Sequence, residues 1–107
     1  MNFKELQERI YRNKVNHGFN VKDVFMEFCS AFNELGEASD AFAYKDRDDV
    51  GTELADTIIY ILGIVEILNR EYGLGIDLED RIMRKIEKIE KRVYTKQENG
   101  GYTKTEG

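Results

Sequence analysis

The chain has 107 residues, 41% hydrophobic and 35% charged, which suits a single soluble globular domain rather than a disordered segment. Its net charge of −5 argues against a dedicated nucleic-acid binder, because phosphate contacts need a clustered basic surface. Cys29 is the lone cysteine, which rules out an intramolecular disulfide and a thiolate zinc site; it reads as a small buried apolar residue.

Proline is absent while Glu, Lys, Leu, Ile and Ala are abundant, so an all-α fold is expected. The opening Met1-Asn2-Phe3-Lys4-Glu5 lacks the apolar stretch of a signal peptide, and the longest uncharged run, Thr57 to Val65, is too short to span a bilayer. No membrane association and a cytoplasmic location are the expectation. The predicted domain covers residues 1–94, followed by a polar, flexible tail over 95–107.

In chain order, apolar spacing predicts a first helix over about residues 2–15, with Phe3, Leu6 and Ile10 on one face. His17-Gly18-Phe19-Asn20 breaks the pattern as a loop. A second helix over 21–44 carries Val24, Phe28, Ala31, Leu35, Ala38 and Phe42 as a predicted buried stripe, with Gly36 placed for close packing of another backbone. The short charged link Lys45–Asp49 predicts antiparallel neighbours, with Asp48 or Asp49 capping the next helix. That third helix, over 50–71, is apolar on every face between Asp56 and Glu66. A helix of that kind is central, and covering it calls for an oligomer, most simply a dimer. Gly73 ends it, Asp77 caps a fourth helix reaching about Tyr94, and Ile82, Ile86, Ile89 and Val93 form its predicted buried stripe.

Two acidic pairs stand out against this apolar background, Glu34-x-x-Glu37 on the second helix and Glu53-x-x-Asp56 on the third. At this spacing the members of each pair share one helix face. The face of Glu53 and Asp56 continues into Tyr60, Ile64 and Ile67, residues too apolar to face water. A half-buried carboxylate needs a partner or a cation. If the link juxtaposes the two pairs, four acids converge on one point, and Mg²⁺ or Mn²⁺ suits their hard oxygen ligands. A di-iron bundle would need Glu-x-x-His on two helices, and the only histidine, His17, lies in a loop.

Asn33-Glu34-Leu35-Gly36-Glu37-Ala38 followed by Glu53-Leu54-Ala55-Asp56-Thr57-Ile58-Ile59-Tyr60 resembles the MazG-type all-α nucleotide pyrophosphohydrolases. Gly75-Ile76-Asp77-Leu78 and Lys91-Arg92-Val93-Tyr94 also look like that family's last helix, and the likeness covers residues 14–94. The resemblance implies a four-helix bundle, assembled as a homodimer or homotetramer, that hydrolyses nucleoside triphosphates to the monophosphate and pyrophosphate with Mg²⁺. It places the metal on Glu34, Glu37, Glu53 and Asp56, with Glu34 or Glu37 as the catalytic base for water attack at the α-phosphorus. Lys14, Lys85 and Arg92 become candidates for phosphate contacts, and Phe19, Tyr44 and Tyr60 for base or sugar contacts. Where family members often carry an asparagine in the last helix, this chain has Ile89. Two alternatives stay open: a relative acting on phosphoribosyl-ATP or dUTP, and a helical dimerisation or regulatory module that binds metal without turnover.

Overall fold

Asn2 starts the first helix, α1 (Phe3–Asn16), its side-chain oxygen accepting from the Glu5 amide at 2.9 Å. In this computed structural model, which describes residues 1–104, the chain divides into two units, Met1–Ile76 and the residues from Asp77 onward. After α1, Gly18 takes a left-handed φ of 70° and the Phe19 amide turns back to the Lys14 carbonyl at 2.8 Å. The second helix, α2 (Val24–Tyr44), starts later than its apolar pattern predicts. The reason is local: Asn20 Oδ1 accepts from the Lys22 and Asp23 amides, and Asp23 then caps the helix through the Met26 amide.

A 3₁₀ turn, Arg47–Asp49, leads directly into α3 (Val50–Tyr72). The expected cap is corrected here: Asp46 caps the 3₁₀ turn by accepting from the Asp48 amide at 2.9 Å, while Asp49 makes no side-chain capping bond. Gly73 closes α3 with φ 64° and its amide on the Asn69 carbonyl, as expected of a glycine past the last turn. The Asn69 side chain then holds the Ile76 backbone from both sides, at 2.7 and 2.9 Å.

The core of the first unit joins Val24 to Ile64 and Ile67, with Ala31 and Leu68 packed against it. Early α2 residues thus meet late α3 residues, and the later acids of α2 meet the first turn of α3, so the two helices run antiparallel. On the other side of α3, buried Gln7 donates to Glu66 at 3.2 Å, and Arg70 joins Glu66 at 2.6 Å while lying 4.0 Å from the Tyr11 ring centroid.

Several burial expectations change. The buried face of α2 carries Val24 and Ala38 of the predicted stripe, with Ala31 partly buried against the core, and adds Glu27 and Ala41. Phe28, Leu35 and Phe42 flank that face at 41%, 50% and 55% exposure. Small alanines let the two helices approach, and the bulky side chains are displaced to the flank. Cys29 also lies on the outer side and is exposed. Among the described residues no atom lies within 4 Å of where a Cβ on Gly36 would stand, so the close backbone packing expected there is not found among them. In α3, Leu62, Ile64, Val65 and Ile67 are buried, whereas Leu54, Ile58 and Ile59 remain about half exposed.

The second unit holds α4 (Leu78–Glu90) and a hairpin of β1 (Tyr94–Lys96) and β2 (Tyr102–Lys104). Asp77 caps α4 through the Asp80 amide at 3.1 Å, as expected. The predicted stripe is corrected: Ile82, Ile86, Ile89 and Val93 are exposed by 38–50%, since one helix and a small hairpin offer no second layer to cover them. The segment expected to be a flexible tail pairs Tyr94 with Lys104 and Lys96 with Tyr102 around a turn at Gly100, whose φ is 88°. The end of that segment, residues 105–107, lies outside the described residues. Among the described residues no helix is long and apolar enough to cross a membrane.

Candidate metal centre

Antiparallel packing brings the last half of α2 against the first turns of α3, and with it the two acidic pairs. Glu34, Glu37 and Glu53 each offer a carboxylate oxygen, and these oxygens all lie within 4.8 Å of one another. Glu34 and Glu53 are half-buried and Glu37 is exposed. Asp56 stands outside that set of three, yet close enough for its charge to act on both Glu34 and Glu53. Of the four acids predicted from spacing, three therefore converge and the fourth borders them.

The electrostatics of the cluster are those of crowded carboxylates. Burial raises the pKa of Glu34 above the usual 4.5, and the charges of Glu37, Asp56 and Glu53 raise it further. Burial likewise raises Glu53, with Glu37, Asp56 and Asp49 adding to it. A Glu37 carboxylate oxygen stands within 4.8 Å of one on each of these residues. One oxygen of Glu53, Oε2, is shut off from water and accepts no hydrogen bond. A buried, unpartnered carboxylate oxygen facing two more carboxylates is the donor set of a hard divalent cation, so the residues present fit Mg²⁺ or Mn²⁺.

Asn33, one turn before Glu37, donates from Nδ2 to Glu37 Oε1 at 3.3 Å and so orients that carboxylate. Thr57 is buried against the backbone of the same turn, its hydroxyl donating to the Glu53 carbonyl at 3.0 Å. Neither contact was read from spacing alone, although the four-residue step from Asn33 to Glu37 is a signal for it.

Between α1 and α3 lies an open cavity of about 840 Å³. Lys14, Phe19 and Tyr60 line it together with Ile10, Ile59 and Leu62, so three of the predicted substrate residues share one cavity. The Lys14 ammonium is engaged by Glu27 and lies 5.3 Å from the Tyr60 ring centroid, so its charge is met inside the protein. Tyr44, at the end of α2, is 84% exposed and does not line the cavity. Lys85 on α4 and Arg92 just beyond it belong to the second unit. Buried Glu27 escaped the sequence reading. Its position seven residues before Glu34, on the same helix face, was the available sign.

A family model for the MazG nucleotide pyrophosphohydrolase domain matches residues 30–95, the span that holds both acidic pairs and α4. No curated protein and no solved structure matches the chain.

Proposed function

Because the chain belongs to the MazG nucleotide pyrophosphohydrolase domain family, we propose that it hydrolyses a (deoxy)nucleoside triphosphate to the monophosphate and pyrophosphate in a Mg²⁺-dependent reaction. The observation that carries this reading is the convergence of Glu34, Glu37 and Glu53, with one Glu53 oxygen buried and unpartnered. Glu34, Glu37, Glu53 and Asp56 would hold the metal, and Mn²⁺ has the same preference for such ligands. When bound, the cation supplies charge neutralisation to the phosphate oxygens and to the pyrophosphate leaving group.

The chain's own contribution is to hold an acceptor for a proton beside the α-phosphorus. Glu34 or Glu37 takes the proton of the attacking water, since both lie on the α2 side of the cluster and Glu37 has the more open position. Asn33 keeps Glu37 oriented while it does so. The cavity between α1 and α3 is large enough for a nucleoside and is lined mostly by apolar side chains, with Tyr60 one turn beyond Asp56. Half-exposed Leu54, Ile58 and Ile59 on α3 and Phe28 and Leu35 on α2 support a homodimer or homotetramer as the working form.

The test is release of pyrophosphate from a panel of nucleoside triphosphates with and without Mg²⁺. Turnover that requires the metal and disappears in Glu37→Gln and Asp56→Asn, both still folded, supports the reading. Undiminished turnover in both variants removes these acids from the reaction. Metal binding with no turnover of any nucleotide leaves a regulatory module instead.

A further inference from the structure

Glu27 is a charged residue only 4% exposed, and both of its oxygens are used. Oε1 takes the Lys14 ammonium and Oε2 takes the Asn20 side-chain amide at 3.2 Å. Apolar side chains of similar volume often pack as stably as a buried ion pair, so such a pair invites a reason beyond stability. Its other contacts supply one. The Lys14 ammonium sits over the Tyr60 ring, and the Lys14 carbonyl accepts the Phe19 amide at 2.8 Å. Asn20 holds the loop backbone through the Lys22 and Asp23 amides and the Asp23 carbonyl. Phe19 itself is 56% exposed and stacks on the exposed His17 ring, so hydrophobic burial does little to fix it. The sequence also leaves room for the lysine stem: a Cβ on Gly63 would stand 3.3 Å from Lys14 Cε.

We propose that Lys14, Glu27 and Asn20 form a positioning clamp that fixes Phe19 and Tyr60, two aromatic walls of the cavity between α1 and α3, for the nucleoside end of the substrate. This rests on the nucleotide reading above and adds Glu27 to it as a positioning residue. Glu27 precedes Glu34 by seven residues on α2, about 10 Å along the helix axis, and lies outside the acidic cluster. Loosening the clamp therefore weakens substrate binding and spares the metal.

The experiment compares the full chain with Glu27→Gln and with the double variant Lys14→Met/Glu27→Met. In Glu27→Gln, KM rises about tenfold, kcat stays within about twofold, and half-saturation by Mg²⁺ is unchanged. Amide hydrogen exchange at Lys22 and Asp23 accelerates in the same variant. The apolar double variant regains a thermal midpoint near wild type but keeps the raised KM. A KM that returns to wild type along with the thermal midpoint overturns the clamp, as does unchanged exchange at Lys22 and Asp23 in Glu27→Gln. Faster exchange in a protein whose wild type releases no pyrophosphate upholds the clamp and removes the nucleotide reading, so the two failures are told apart.

Discussion

Glu37 on α2 and Glu53 on α3 bring carboxylate oxygens within 4.8 Å of each other, acid against acid across a helix interface, and the buried Oε2 of Glu53 has no hydrogen-bond partner. In the metal-free protein this contact is a repulsion that the fold tolerates; with a divalent cation between them it becomes an attraction.

Replacing Glu53 with glutamine is therefore expected to act in opposite directions on the two forms. Without metal, Glu53→Gln raises the thermal midpoint, because one buried charge is gone. With millimolar Mg²⁺ the wild type gains stability and the variant does not, and turnover falls by at least about 100-fold, the upper end of what disturbing a metal's outer ligands costs. Thermal melts with and without Mg²⁺, alongside a pyrophosphate assay, check both halves.

The raised pKa values of Glu34 and Glu53 fix the sign of a pH effect. For a group raised on folding, the stabilising contribution is complete below the unfolded value near 4.5 and is lost as pH climbs through the higher folded value. Metal-free wild type should accordingly lose stability relative to Glu53→Gln as pH rises above 4.5, while Mg²⁺ affinity increases over the same interval as protons leave the acids. Melting curves of both proteins across that interval, with calorimetry of Mg²⁺ binding, would show it. A constant difference between the two proteins at all pH values would contradict the crowding.

Asn33→Ala removes the donor that orients Glu37 and touches no buried group. The expected result is a loss of metal affinity of about tenfold, at the lower end for a residue behind a metal ligand, with little change in melting temperature. Isothermal titration with Mn²⁺ measures the first and thermal denaturation the second.

Two glycines of the helices should respond oppositely. Gly36→Ala gains about 1 kcal/mol of helix propensity, with no described residue placed to obstruct the methyl group. Gly63→Val forces a branched side chain against Lys14 and Ile10, at 3.3 and 3.4 Å from the first added carbon, and should cost about 1–3 kcal/mol. Denaturant titrations of both variants give the values. Destabilisation by Gly36→Ala would mean that another copy of the chain lies against that turn.

The acids were legible because helical spacing alone places Glu34 with Glu37 and Glu53 with Asp56, and a short link makes two helices neighbours. Val24, Ala31 and Ala38 of the α2 stripe were legible, but the exposure of Phe28, Leu35 and Phe42 was not, because hydrophobicity ranks them above Ala41 while close helix contact selects the small side chain. Only part of Glu27's burial is legible in its own helix, because it depends on Lys14 and Asn20, residues of another helix and a loop. Cys29, apolar in character, is exposed, as is Phe25, because each lies off the buried face of α2. Which side of a helix faces its neighbour is a property of the pair, and a single strand of letters carries only half of it.

The turn at Arg47–Asp49 runs into α3 without a break, Asp49 already having a helical backbone. A residue inserted anywhere in that run would rotate the following acids by about 100° about their axis, away from Glu34 and Glu37. The length of this corner is thus a gauge for the centre's chemistry, and drift by a single codon there would disarm the protein while leaving every acid in place.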